Sequence, residues 1–267
     1  MTPMPLAVRS LVLLALVLLA ASCSNRPSPP ERPTPIPTTP PQKAPPQERA
    51  QLHTQLAAGY YERGQMEVAL EELGLAIKID PNYAQAYNIS GLVYAYLGDD
   101  RKAEQSFLQA MQLAPGDSDI HHNWGWYLCT HNRARESLPE FDAAVHNPLY
   151  RTPETALVNA GRCAQAAGEN AAAEDYFRQA LAAQPGNPLA SLGLAQLSYK
   201  ARRYDEARSW MKGVMLMTNP PPDALRLGGC IERALGDRPA ELSYISQLKN
   251  RYPDAPETRA IPTETCQ

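Results

Sequence analysis

Five cysteines and five histidines are the residues of this 267-residue chain best suited to chemistry, and their spacing decides which chemistry. His121, His122, Cys129 and His131 crowd into one short stretch and are the first candidates for a metal site. On a helix His122 and Cys129 share a face, but His121 points elsewhere and His131 falls past the helix end. No CxxC or HxxxH pair occurs, the spacings that set two ligands on one ion. A phosphate-cradling Gly loop and a G-x-S-x-G elbow are also missing, and the carboxylates are scattered over what read as solvated helix faces. The expectation is therefore no metal, no cofactor, no small-molecule substrate and no enzyme. The cysteines and aromatics must then serve structure, anchoring or the holding of another molecule.

Those residues sit in a register of 34 residues that repeats six times. The unit from Ala84 to Asp117 shows it best, with Tyr87, Gly91, Tyr94, Gly98, Ala103, Phe107, Ala110 and Pro115 in place. This is the tetratricopeptide (TPR) pattern, which the chain resembles from about residue 48 to 254, with units beginning near 50, 84, 118, 154, 188 and 222. The first, second and fourth units match well. The third has Ser137 where Ala is usual, the fifth has Asn219 where Pro is usual, and two extra residues precede the fourth. Places eight and twenty are where paired helices cross closely, so small residues belong there. Large apolar residues at places four, seven, eleven and twenty-four build a core that runs from unit to unit. Pro at place thirty-two ends the second helix, because the residue before Pro disfavours the α region. The fold class expected is all-α, a right-handed superhelical solenoid of helix–turn–helix repeats with a concave inner face.

The ends carry different information. Arg9, an apolar run from Leu11 to Ala21 and the small residues before Cys23 read as a secretory signal over 1–22. The run is shorter than the roughly 20 apolar residues a spanning helix needs. Cys23 after small residues resembles a bacterial lipobox, which implies a lipidated N-terminus; Ser24 after it implies the outer membrane by the same resemblance. Ten of the 24 residues from Ser24 to Gln47 are Pro. They predict a semi-rigid spacer over 23–47, neither helix nor sheet, with a reach of up to about 75 Å. The stretch 255–267 reads as a loose tail. Without Arg9 the chain carries 24 Lys and Arg against 28 Asp and Glu, which argues against nucleic acid as a partner.

In this fold the second, fifth, ninth, twelfth and thirteenth places of each first helix face the groove. Tyr61, Leu92, Tyr96 and Trp126 make an apolar, aromatic floor over the first three units, joined by Asn88 and His122. Arg162, Arg226 and Arg233 make the far end basic, with Gln196 and Tyr199 beside them. Aromatics with Arg are the types that carry energy in protein interfaces, so a peptide or helix with an apolar face and an acidic end would suit the surface. The opposing reading is that Trp126 and the tyrosines only complete packing between neighbouring helices.

The junction of units three and four is the most particular stretch. It runs His122-Asn123-Trp124-Gly125-Trp126-Tyr127-Leu128-Cys129, then Asn147-Pro148-Leu149-Tyr150, then Ala156-Leu157-Val158-Asn159-Ala160-Gly161-Arg162-Cys163. These segments resemble the PilF/PilW lipoproteins of type IV pilus biogenesis. The resemblance implies a periplasm-facing outer-membrane lipoprotein. It would act as a pilotin for the pilus secretin, supporting the channel's localisation and multimerisation and so pilus biogenesis and twitching motility. A scaffold lipoprotein for another envelope complex, in peptidoglycan synthesis or outer-membrane protein assembly, would share the same fold and anchor. In register, Cys129 and Cys163 lie near one level of adjacent first helices, so in an oxidising compartment they are a candidate disulfide. The alternative is two small buried apolar residues. Cys230 and Cys266 have no partner in register.

Overall fold

The computed structural model of the protein describes residues 44–260 and Cys266. The signal segment, Cys23 and most of the Pro-rich stretch lie outside the described residues. Among the described residues the structure is helical throughout, without strands. Six helix pairs follow one another: α1 (Pro46–Glu62) with α2 (Met66–Ile79), α3 (Ala84–Tyr96) with α4 (Asp100–Leu113), and α5 (Ser118–Thr130) with α6 (Ala134–His146). Next come α7 (Pro153–Ala166) with α8 (Asn170–Ala183), α9 (Pro188–Lys200) with α10 (Tyr204–Val214), and α11 (Pro222–Leu235) with α12 (Arg238–Arg251). A short α13 (Pro256–Arg259) closes the series and packs on α11 and α12. Each first helix packs on its own partner, on the second helix of the preceding pair and on the preceding first helix. The first helices thus line the inner side of the solenoid and the second helices its outer side.

The register explains the packing. Phe107, Phe141 and Phe177, all at place twenty-four, are fully or almost fully buried between the helices of their units. Opposite each stands a glycine at place eight. A Cβ on Gly91 would lie 2.7 Å from the Phe107 ring, and one on Gly161 would lie 2.6 Å from Phe177. Where place eight is Ala57 or Ala195, place twenty-four holds Leu73 or Met211 instead of Phe. Ring size and helix approach are therefore matched within each unit. The turn joining the paired helices falls at place fifteen and needs a left-handed residue. Gly64, Gly98, Gly168 and Gly236 supply it, with φ of 75°, 74°, 79° and 79°. Asn132 and Arg202 take the same conformation in units three and five, which is a strained choice for Arg202.

Three sequence expectations are corrected. Pro46 and Gln47 are not spacer but the first turn of α1, where Pro is tolerated because its missing N–H has no intrahelical partner. The stretch after residue 254 is not wholly loose: Pro256–Arg259 is helical, Thr258 Oγ1 donates to the Tyr252 carbonyl at 2.6 Å, and Cys266 is disulfide-bonded to Cys230. Cys266 found no partner in the repeat because it lies beyond the register. In the sixth unit the close-approach place twenty holds Glu241, only 2% exposed. Burial raises its carboxyl, but Arg233 Nε and Arg238 Nη1, each at 2.7 Å, outweigh this and keep it ionised below the usual carboxylate range.

Candidate partner-binding groove

The inner face is assembled from one stripe of each first helix. At its N-terminal end Tyr61 on α1 and Tyr96 on α3 meet edge to face, ring centroids 6.3 Å apart. Tyr96 is 66% exposed, an unusual placement for a large ring with nothing to cover it. Leu92 is half-buried against the Phe107 cluster and forms floor between them. Further along, Trp126 on α5 is half-buried against the core of units three and four, and the exposed Arg162 guanidinium of α7 lies 5.8 Å from its ring. A cation over an indole keeps both groups ordered and leaves the guanidinium donors free for an acidic partner group.

Two of the expected groove residues do other work. Asn88 is 1% exposed and belongs to a relay of amides beneath the surface. Asn123 Nδ2 donates to Asn88 Oδ1 at 3.2 Å, Asn88 Nδ2 to Gln85 Oε1 at 2.9 Å, and Gln85 Nε2 to Asp117 Oδ2 at 2.8 Å. His122 is likewise turned inward. Asn159 Nδ2 of α7 donates to its Nε2 at 3.0 Å, which leaves Nδ1 protonated and donating to Tyr150 Oη at 2.6 Å. Its ring stands edge-on to Phe141 and Tyr150. Tyr150 comes from the Pro-Leu-Tyr link, so the two-residue insertion before unit four folds back to brace α5 against α7. Tyr150 and Asn159 belong to the junction that stands out in the sequence, but their contacts with His122, 28 and 37 positions away, become visible only once the insertion's path is known. At the other end of the same helix pair, Cys129 and Cys163 are disulfide-bonded, with Cα atoms 5.7 Å apart.

This brace gives a pH dependence. Burial holds His122 below the ordinary histidine range. A group with a depressed folded pKa binds more protons unfolded, so its stability contribution is present above the unfolded value of about 6.5 and is lost as pH falls below it. The neighbouring His121 has the opposite sign: hydrogen bonding to Glu140 raises it, so its contribution fades as pH rises above the same point. We expect the stability difference between wild type and His122→Gln, from urea midpoints, to shrink as pH falls below about 6.5. A difference that stays constant from pH 8 to 5 would contradict the inward, neutral histidine.

At the far end the expected residues are half-buried and cluster beside the Cys230–Cys266 disulfide. Tyr199 Oη donates to the Cys266 carbonyl at 3.2 Å, and Gln196 and Arg226 line the same cleft as Cys266. Arg233 is turned to Glu241. Of the expected groove residues, Tyr96 and Arg162, over units one to four, are exposed, and Tyr61, Leu92 and Trp126 beside them are half-buried. Among the described residues no cluster of His, Cys, Asp or Glu could hold a metal ion.

Stacked helix pairs with this register and this inner groove define a tetratricopeptide-repeat protein. Residues 122–188 and 164–227 each match a family described as tetratricopeptide repeat, as does the unit 84–117. The crystal structure of PilW, a widely conserved type IV pilus biogenesis factor, is 33% identical, with a TM-score of 0.73 over 80% of this chain and 98% of that one. The structure of pilF from Pseudomonas aeruginosa is 26% identical, with a TM-score of 0.75 over 82% of this chain and 99% of that one. The type IV pilus assembly protein PilF of Pseudomonas aeruginosa is 27% identical over 217 residues, 81% of this chain and 86% of the relative. The chain belongs to the PilF/PilW family of type IV pilus biogenesis factors.

Proposed function

We propose that this protein is a lipid-anchored pilotin on the periplasmic face of the outer membrane, which binds the type IV pilus secretin and promotes its localisation and multimerisation. Family membership supports the pilus; the open aromatic floor over units one to four supports a protein partner held in the groove. That floor, Tyr61 against Tyr96 and Trp126 under Arg162, is the observation that carries the reading. A secretin segment with an apolar face would cover the rings, and an acidic group would meet Arg162. The exposed Tyr96 and Arg162 favour the first four units as the partner's seat.

Tyr96→Ala is the cleanest test, since the ring is exposed and its loss opens no cavity in the core. Anchoring rings of this kind contribute more than about 1 kcal/mol each. We expect binding to the purified secretin domain to weaken about tenfold, the equivalent of 1.4 kcal/mol, with unchanged helicity. Trp126→Ala should lose at least as much. Full binding by both variants would move the interface off this face.

No helix among the described residues is long and apolar enough to cross a membrane. In this reading the attachment is the lipid on Cys23, and the Pro-rich stretch lifts the repeats off the surface. Cys23→Ala should shift the protein from the outer-membrane fraction to the soluble periplasm. Unchanged fractionation would refute the anchor without touching the groove.

A further inference from the structure

A cleft of about 490 Å³ lies at the two-residue insertion, between the start of α5 and the link that leads to α7. Asp117, Ser118 and Asp119 line it on the α5 side, and Leu149, Tyr150 and Arg151 on the link side. Asp117 is engaged by its own chain: Oδ1 accepts from the Asp119 and Ile120 N–H groups, and Oδ2 from the Gln85 amide. The Asp119 carboxylate has no hydrogen bond and no ion pair among the described residues. Burial holds it above the usual carboxylate range and the Asp117 charge pushes the same way, with Arg151 offsetting only part. Ser118 is 6% exposed, and its hydroxyl is the one buried side-chain polar group among the described residues without a hydrogen-bond partner. Leu149 is 85% exposed, the most exposed large apolar side chain among them. An anion without a cation, a hydroxyl without a partner and a leucine without cover thus meet at one cleft.

We propose that this cleft receives a basic residue of the bound protein segment, its cation on Asp119 and an apolar neighbour on Leu149. The proposal rests on the first four units being the partner's seat, and it adds the charge pattern that the segment must carry. Asp119 occupies place two of unit three, a groove place. Trp126, with the Arg162 guanidinium over its ring, stands seven residues further along α5, about 10 Å of helix rise. The seat therefore has an acidic corner at Asp119 and a cationic spot at Arg162. An extended segment with Arg and Glu three residues apart spans about 10 Å and satisfies both. A segment entering backwards would set its Arg against Arg162 and its Glu against Asp119, so the same two charges fix its direction. Arg151 does not fill the corner from within, since its side chain is exposed and makes no ion pair with Asp119.

The test titrates a fluorescein-labelled peptide of tandem Arg-Leu-Leu-Glu repeats with the full-length protein, followed by fluorescence anisotropy. A second peptide has Gln in place of every Arg. Wild type should prefer the Arg peptide, and Asp119→Asn should weaken that peptide about fivefold while leaving the Gln peptide unchanged. Leu149→Ser should weaken both peptides, because both keep the leucines. Asp175→Asn removes the same charge from the exposed face of α8 and should change neither. Wild type that shows no preference for the Arg peptide would overturn the proposal. So would a loss in Asp119→Asn that is equal for the two peptides, or one that Asp175→Asn reproduces. The secretin takes no part in this assay, so its outcome is separate from that of the pilotin reading.

Discussion

Replacing Cys129 and Cys163 together by Ala should lower the stability of the soluble protein by about 3–4 kcal/mol, the chain entropy of a closed loop of this length. The disulfide spans 34 residues and joins α5 to α7, first helices of successive units. Those helices flank the two-residue insertion, the one place where the repeat loses its spacing. Elsewhere along the stack successive first helices are in contact without a covalent link. The link therefore stands where the neighbour-to-neighbour interface, on which a solenoid's cooperativity depends, is least regular. The midpoint in urea should fall accordingly, and the first segment to exchange its amides should be α5 to α7. Cys230→Ala with Cys266→Ala makes the control. Its loop spans 36 residues, close to the same length, but one end lies past the last helix and regains freedom in the folded state. The effect there should be smaller. An unchanged midpoint in the central variant would mean that packing and the His122 brace hold the junction alone.

Phe177→Ala should cost about 3–5 kcal/mol, at the upper end for a core truncation. The ring is fully buried, and two glycines close on it: Gly161 from its own unit and Gly193 from the next, where an added Cβ would lie 2.3 Å away. Backbone lines the cavity on both of these sides, and backbone cannot swing in to fill it. The same geometry predicts a coupled reversal. Gly161→Ala alone overpacks the unit and should destabilise it by about 1–3 kcal/mol. In a Phe177→Leu background the added methyl should cost much less, because Ala57 with Leu73 and Ala195 with Met211 already use that pairing. Strict additivity in the double-mutant cycle would contradict matched packing.

The repeat could be read in advance because its demands are local. A small residue at place eight, a bulky one at place twenty-four and a left-handed turn at place fifteen each leave a mark on the sequence. The groove stripe is an expectation that comes with the resemblance to this fold, since helical period tells which residues share a face but not which face is concave. It failed where side chains left the stripe or where the chain left the register. Asn88 and His122 occupy groove places, yet amide and imidazole groups find partners below the surface and turn inward. Glu241 breaks the small-residue rule at place twenty; Arg238 stands one turn before it on the same helix, but Arg233 reaches it from the preceding helix, a contact the sequence does not display. The path that brings Cys266 to Cys230 depends on residues past the last repeat, which the period does not reach.

The central claim is that this repeat protein assembles the pilus secretin. The most direct measurement is the amount of heat-stable secretin oligomer in outer membranes from cells with and without its gene. The account predicts that the oligomer gives way to monomer in the deletion, returns with the wild-type gene, and returns only in part with Tyr96→Ala. Undiminished oligomer in the deletion would contradict it.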